Sequence, residues 1–381
     1  MAIGRIETFL VPPRWLFVRI ETEDGLVGWG EPIVEGHAEV VRVAVAEFAE
    51  LLLGTDEGRI EHHWLAMTKG GFYRGGPVFN SAAAGVDQAL WDIAGKRLGR
   101  PVHELLGGAV RDRVRAYAWV GGDEPEALAD DIERRIAAGM TAVKMNASGR
   151  MPPLAALAET RAIVERAQVA RDVLGPGRDF ALDFHGRLTL ADSRRVVPLL
   201  EPLHPLFVEE PVVPEASAQL HRVVDATTVP IATGERLYSR QEFLPVLQQG
   251  VAVVQPDVCH AGGISETRRI AALAETFDAR IAPHCPLGPI ALAASLQIGF
   301  ASPNLLIQEH GMGIHYNGDA DLLDYVVDRS PFALVDGSFD RFVGAGLGVE
   351  IDETAVRDAD RRGHAWRSPR WHHADGGFAE W

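Results

Sequence analysis

The chain has 381 residues, 47% hydrophobic and 24% charged, with a formal charge of −16, as expected of a soluble globular protein with one large or two moderate cores. That charge argues against a nucleic-acid or anionic-membrane partner, because both reward a basic face. Two cysteines, Cys259 and Cys285, are too few for a disulfide scaffold and are expected to be reduced thiols. The first residues show no basic segment followed by an apolar stretch, and no apolar run reaches the roughly 18 residues of a membrane span, so a cytoplasmic setting is expected.

Residues 15–22 and 26–31 read as strands joined by a tight Asp24-Gly25 turn. Helical stretches follow near 37–53, 59–69 and 80–98, the last placing Val86, Leu90, Ile93 and Leu98 on one face. Strands followed by helices predict an α+β unit over 1–113. From residue 114 the pattern alternates, with strand candidates centred near 117, 143, 182, 208, 232, 254, 281 and 306. Six of the seven gaps lie near the roughly 25 residues of one βα unit; the longer gap of 39 holds a Gly/Pro-containing loop over 146–153. Eight such units predict a TIM-type barrel over 114–340, and polar residues ending many different strands favour closure over an open sheet. Residues 341–381 carry Trp366, Trp371 and Trp381 and are expected to pack back on the N-terminal unit.

Chemistry concentrates at the strand ends. Asp183, Glu209 and Glu235 are spaced 209 − 183 = 26 and 235 − 209 = 26 residues apart, so they fall at one level on successive units. Three hard oxygen ligands suit Mg²⁺, or Mn²⁺ in its place, better than zinc. Glu210 beside Glu209 is an alternative, since only one of two adjacent strand residues can face the axis. His185 lies two residues after Asp183 and faces the same way. Asp257 and His284 end neighbouring strands, where a carboxylate would fix the imidazole tautomer and leave the other ring nitrogen as a base. Glu309 ends the eighth strand as a ligand, a donor if protonated, or a helix cap. Lys144 is the natural cation for a substrate carboxylate, and Asn146 shares its face, leaving no Lys-X-Lys pair to supply a second ammonium base. Gly107-Gly108 and Gly262-Gly263 read as turns; no phosphate-binding fingerprint or Gly-X-Ser-X-Gly occurs.

Trp-Gly-Glu-Pro at 29–32, Gly-Phe-Tyr-Arg-Gly-Gly-Pro at 71–77, Asp-Gln-Ala-Leu-Trp-Asp-Ile at 87–93 and the segment 117–122 resemble the mandelate racemase group of the enolase superfamily. Segments 182–187, 261–264, 282–289 and 311–317 resemble the sugar-acid dehydratases of that group, and the similarity runs through essentially the whole chain. The resemblance implies an α+β cap over a (β/α)₇β barrel, completed by the C-terminal segment. It selects Asp183, Glu209 and Glu235 as Mg²⁺ ligands, His284 oriented by Asp257 as base, and His185 as acid. Glu309 becomes a partner of the substrate's carboxylate side. Arg14, Trp15, Tyr73 and Arg74 are expected lid contacts, the substrate is a small sugar acid, and a symmetric homo-oligomer, often an octamer, is implied.

Overall fold

A computed structural model describes residues 1–121, 127–318 and 320–381; Gly122, which closes one of the motifs above, lies outside them. β1 (Ile3–Val11), β2 (Trp15–Thr22) and β3 (Val27–Gly30) form an antiparallel sheet in chain order. The turn between β2 and β3 uses Gly25 at φ +85°, a conformation glycine adopts without steric penalty. Helices α1 (Ala38–Leu52), α2 (Ile60–Lys69) and α3 (Pro77–Leu98) follow. α3 starts at Pro77, earlier than the periodicity suggests, because proline is pre-organised for a first helical turn, and it stops at a left-handed Gly99. Val86, Leu90 and Ile93 are buried, whereas Leu98, the last residue of the helix, is exposed.

α3 is buried on nearly every side because it lies between the small sheet and the rest of the molecule. Its close approach to β3 depends on missing side chains: a Cβ on Gly30 would stand 1.9 Å from the Gly85 carbonyl oxygen. The motif residues here serve docking. Glu31 accepts hydrogen bonds from Gly288 N (2.8 Å) and Ala291 N (3.0 Å), closing the N-terminus of the helix Pro289–Ala301. Gln88 donates to the Val258 carbonyl at 3.0 Å, and Asp87 accepts from the Ser265 amide and hydroxyl at 2.9 and 2.6 Å.

The barrel staves are β4 (Arg113–Val120), β5 (Ala142–Asn146), β6 (Asp179–Asp183), β7 (Val208–Glu209), β8 (Ile231–Thr233), β9 (Val253–Val254), β10 (Arg280–Ile281) and β11 (Gln308–His310). Each pairs in parallel with the next from β4 to β10, and β11 returns to pair with β4. A parallel bridge between Ile281 and Leu305 completes the ring, with Leu306 N donating to the Ile281 carbonyl at 2.8 Å. The longest interval between staves combines a loop after β5 with an 18-residue helix, Leu157–Leu174.

One residue per stave fills the barrel: Tyr117, Ala142, Ala181, Phe207, Ala232, Val253, Ala282 and Ile307. Side chains alternate along a strand, so the next inward layer stands two residues further on. It comprises Trp119, Lys144, Asp183, Glu209, Gln255, His284 and Glu309, with β8 the exception. There Gly234 holds φ +142°, and a Cβ would meet the Phe243 ring at 2.6 Å. That residue sets Glu235, rather than position 234, into the layer.

Helix Glu353–Arg362 packs on β1: Leu10 N donates to Asp360 Oδ1 at 2.7 Å, and Arg357 pairs with Glu7 at 3.0 Å. The final segment turns to the barrel, where the Arg187 guanidinium lies 4.6 Å over the Trp371 ring and Trp381 stacks on His185. Among the described residues no helix is long and apolar enough to cross a membrane.

Gly30→Ala should destabilise the fold by about 3 kcal/mol, since backbone meets backbone and neither can yield locally. Urea denaturation, with Gly177→Ala in open space as control, measures the difference. Equal midpoints would contradict the close-packing argument.

Candidate functional site

A cavity of about 270 Å³ opens at the C-terminal ends of the staves, beneath the small sheet's loops. Lys144, fully buried, organises its floor. Its ammonium stands 2.9 Å from both oxygens of Glu209, 3.1 Å from Glu309 Oε1 and 3.5 Å from Asp183 Oδ2. Burial works against the ammonium charge, but Glu209, Glu309 and Asp183 outweigh it and hold its pKa well above the ordinary lysine value.

Glu209 faces this ammonium. Glu210, at φ +39°, turns away to accept a two-pronged ion pair from Arg236, with Nε 3.1 Å from Oε1. The two adjacent carboxylates thus face different cations, Glu209 the Lys144 ammonium and Glu210 the Arg236 guanidinium. His185, at φ +48°, places Nε2 3.2 Å from Asp183 Oδ2, while its amide donates to Asp183 Oδ1 at 2.8 Å. Across the ring, four staves from β6, His284 Nδ1 lies 2.7 Å from Asp257 Oδ2 and Nε2 lies 3.3 Å from Glu235 Oε2. Glu309 also accepts from the Cys285 amide at 2.9 Å.

Two carboxylate oxygens aimed into this space, Asp183 Oδ2 and Glu235 Oε2, are buried without a hydrogen-bond donor. Their histidine neighbours are within ion-pair reach but outside hydrogen-bond geometry. Ligand atoms of Asp183, His185 and Glu235 lie within 4.8 Å of one another, a metal-site-like cluster. Glu209 adjoins this cluster through Lys144 and is raised to about 8 by burial and the charge of Asp183. Glu235 is raised to about 7, mainly by burial. Asp183 stays below its usual value: burial pushes it up, but His185 and Lys144 pull harder. Unsatisfied oxygens and carboxyls that resist ionisation are what a hard divalent cation would relieve.

The histidines differ sharply. Burial drives His185 down to about 3, whereas for His284 the charges of Glu235, Glu309 and Asp257 overcome burial and raise it well above 6.5.

Of the lid candidates, Arg14 lines the cavity. Trp15 does not; it is wholly buried within the small sheet's own core, stacked on Phe17 and edge-on to Tyr325. Tyr73 is 92% exposed, and Arg74 donates to Gly71 O at 3.0 Å; both border a separate groove with Phe48 and Phe79. Asn146 is buried in register with Asp183 but is not part of the cavity wall. Sequence reasoning missed Glu35, His260, Tyr316, Trp366 and Trp381, which do line it. His260, three residues beyond Asp257, carried a usable signal; the others come from distant loops that share no periodicity with the staves.

Comparisons with known proteins place the chain among sequence and fold relatives. Residues 8–107 match the mandelate racemase / muconate lactonizing enzyme N-terminal domain, and residues 127–355 match the enolase C-terminal domain-like family. The chain is 49% identical to a D-galactonate dehydratase of Variovorax paradoxus and 50% identical to one of Verminephrobacter eiseniae, each over the full length of both chains. Among solved structures, a putative galactarate dehydratase from Agrobacterium radiobacter, bound to Na and L-malate, superposes with a TM-score of 0.90 at 33% identity, covering 100% of each chain. A putative dehydratase from Mesorhizobium loti gives a TM-score of 0.87 at 30% identity, covering 94% of this chain and 98% of that one.

A cation at this cluster would compete with protons, since burial raises Glu209 to about 8 and Glu235 to about 7. Affinity for Mn²⁺ should therefore fall as pH drops from about 8 to 6, and binding at pH 7 should release protons. Calorimetry in buffers of different ionisation enthalpy reads that release. Asp183→Asn and Glu235→Gln should each weaken Mn²⁺ by ~100-fold; unchanged affinity in both would remove the cluster as a cation site.

Proposed function

The chain belongs to the mandelate racemase / muconate lactonizing enzyme group of the enolase superfamily, and from that premise we propose that it is a hydro-lyase converting D-galactonate into 2-dehydro-3-deoxy-D-galactonate and water. The observation carrying this reading is the placement of two imidazoles on opposite staves of one mouth, each beside an unsatisfied carboxylate.

In the proposal Asp183, Glu209 and Glu235 hold Mg²⁺, for which Mn²⁺ can substitute. Bound there, the ion would supply the positive charge that makes a C2 proton beside a carboxylate removable. Lys144 and Glu309 face the substrate's carboxylate end. His284 presents Nε2 as the base, its tautomer set by the Asp257 contact at Nδ1. The C2–H bond breaks toward His284; the C3–O bond then breaks, and His185 gives its proton to the departing hydroxide, which leaves as water. The enol that remains tautomerises to the 2-keto-3-deoxy acid.

In the ion-free site the shifts run opposite to what this sequence requires: Glu235, Glu309 and Asp257 raise His284, while burial lowers His185 to about 3. The cause is visible in the charges. Glu235 is one of the groups raising His284, and a cation on Glu235 removes that influence. Burial lowers His185 against the raising charge of Asp183, with Arg187 and Lys144 assisting burial.

The same proposal includes a cytoplasmic setting, supported by two free, buried cysteines, and a symmetric homo-oligomer.

D-Galactonate should give the highest kcat/KM among epimeric six-carbon acids, with a semicarbazide-reactive product; solvent deuterium entering C2 without keto-acid formation would instead indicate a racemase. His284→Asn should abolish exchange of the C2 proton with solvent. His185→Asn should retain exchange while dehydration slows by ~10² to 10⁴. Dehydration at the original rate in His185→Asn would overturn its role as acid.

A further inference from the structure

On the wall of the same cavity, beside the His284–Asp257 pair (His260 Nδ1 is 3.7 Å from Asp257 Oδ2), two cationic groups meet one anion. Arg14, in the turn between β1 and β2, places Nη1 3.4 Å from Glu35 Oε1, and His260, beyond β9, places Nε2 3.2 Å from Glu35 Oε2. Among the described residues, Arg14's remaining contacts are with neutral groups. Nη2 donates to Pro286 O at 2.6 Å and Nε to Asn317 Oδ1 at 3.2 Å, while the guanidinium lies 5.8 and 5.6 Å over the rings of Tyr316 and Trp366. Held on several sides, this planar fork has little freedom to swing toward a new partner. Glu35 itself lines the cavity, and its side chain is 19% exposed.

Arg14, Lys144 and Arg236 are the Arg and Lys residues among the described residues of the cavity wall. Each already faces a carboxylate: Glu35, Glu209 and Glu210 respectively. A substrate's own carboxylate can be received at the cluster of Asp183 and Glu235 once a cation is bound there. His260 is a further cation at the Arg14 end, and it too is already engaged, 3.2 Å from Glu35 Oε2 and 3.7 Å from Asp257 Oδ2.

We propose that Glu35 is a specificity-determining residue that restricts the pocket to sugar acids with a single carboxylate. Resting on the sugar-acid reading above, the proposal concerns the far end of the ligand. A six-carbon aldonate ends there in a hydroxymethyl group, whose hydroxyl can donate to Glu35. The corresponding aldarate ends in a carboxylate, which meets Glu35 as a like charge and finds Arg14 already paired. Such juxtaposition is a common way for a protein to reject a near-isosteric ligand.

The test is equilibrium binding of D-galactonate and galactarate to Mg²⁺-loaded protein, measured calorimetrically in a His284→Asn background that blocks turnover. With Glu35 present, the aldonate should bind at least about tenfold more tightly. Glu35→Gln keeps the size and removes the charge, so the preference should shrink by about tenfold or more, chiefly through tighter galactarate binding. Glu35→Asp, which retains the charge, should keep the preference. Adding Arg14→Met to Glu35→Gln should erase the galactarate gain, which a purely structural role for Glu35 would not do. If D-galactonate binds and the ratio is the same before and after the Glu35→Gln substitution, this inference alone falls. If neither acid binds the unsubstituted site, the sugar-acid reading falls and takes this inference with it.

Discussion

Asp183, Glu209 and Glu309 share one ammonium, Lys144, inside a barrel mouth where none of these four side chains is more than 1% exposed. Glu235 adds a further carboxylate nearby without an ammonium of its own. Taking a charge out of water costs several kcal/mol unless a partner compensates, and one lysine cannot compensate four carboxylates. The arrangement leaves raised carboxyl pKa values and two oxygens without donors. A fold does not keep such a cluster for stability, since apolar residues of similar volume would serve better. The unbalanced negative charge makes sense as a receptacle for a cation.

The rest of the molecule keeps this cluster buried and shaped. Alternation along the staves supplies a packed layer, from Tyr117 to Ile307, directly beneath the polar one. That apolar floor excludes water from below and fixes the height at which the carboxylates stand. From above, the small sheet is fastened by buried polar contacts: Glu31 on the start of helix Pro289–Ala301, Gln88 on Val258 and Asp87 on Ser265. None of these three side chains lines the cavity. They carry the loops bearing Arg14 and Glu35 over the mouth, so that the far wall of the cavity is built from a different part of the chain than its floor.

Much of the barrel was legible because its repeat is simple. A strand and a helix occupy a nearly constant length, so equal intervals between Asp183, Glu209 and Glu235 imply equal height, and a two-residue step implies a shared face. The His284–Asp257 contact followed from neighbouring staves for the same reason. The rule has limits within the barrel itself. Glu235 stands in its layer because Gly234 bends the backbone, and Glu209 was separable from Glu210 only by family likeness until Arg236 was seen to hold Glu210.

The sequence alone determined the staves, their order, the level of the acidic residues and the identity of the histidines beside them, because those features arise from local periodicity. Tertiary structure decided the partners. Glu35 and His260 are 260 − 35 = 225 residues apart, and no local pattern brings them together. It also decided that Trp15 belongs to an interior and Tyr73 to an open surface, since the same aromatic side chain serves either place. Charge states were settled last, because a pKa reports burial and neighbouring charge, and both exist only after the chain has closed around them.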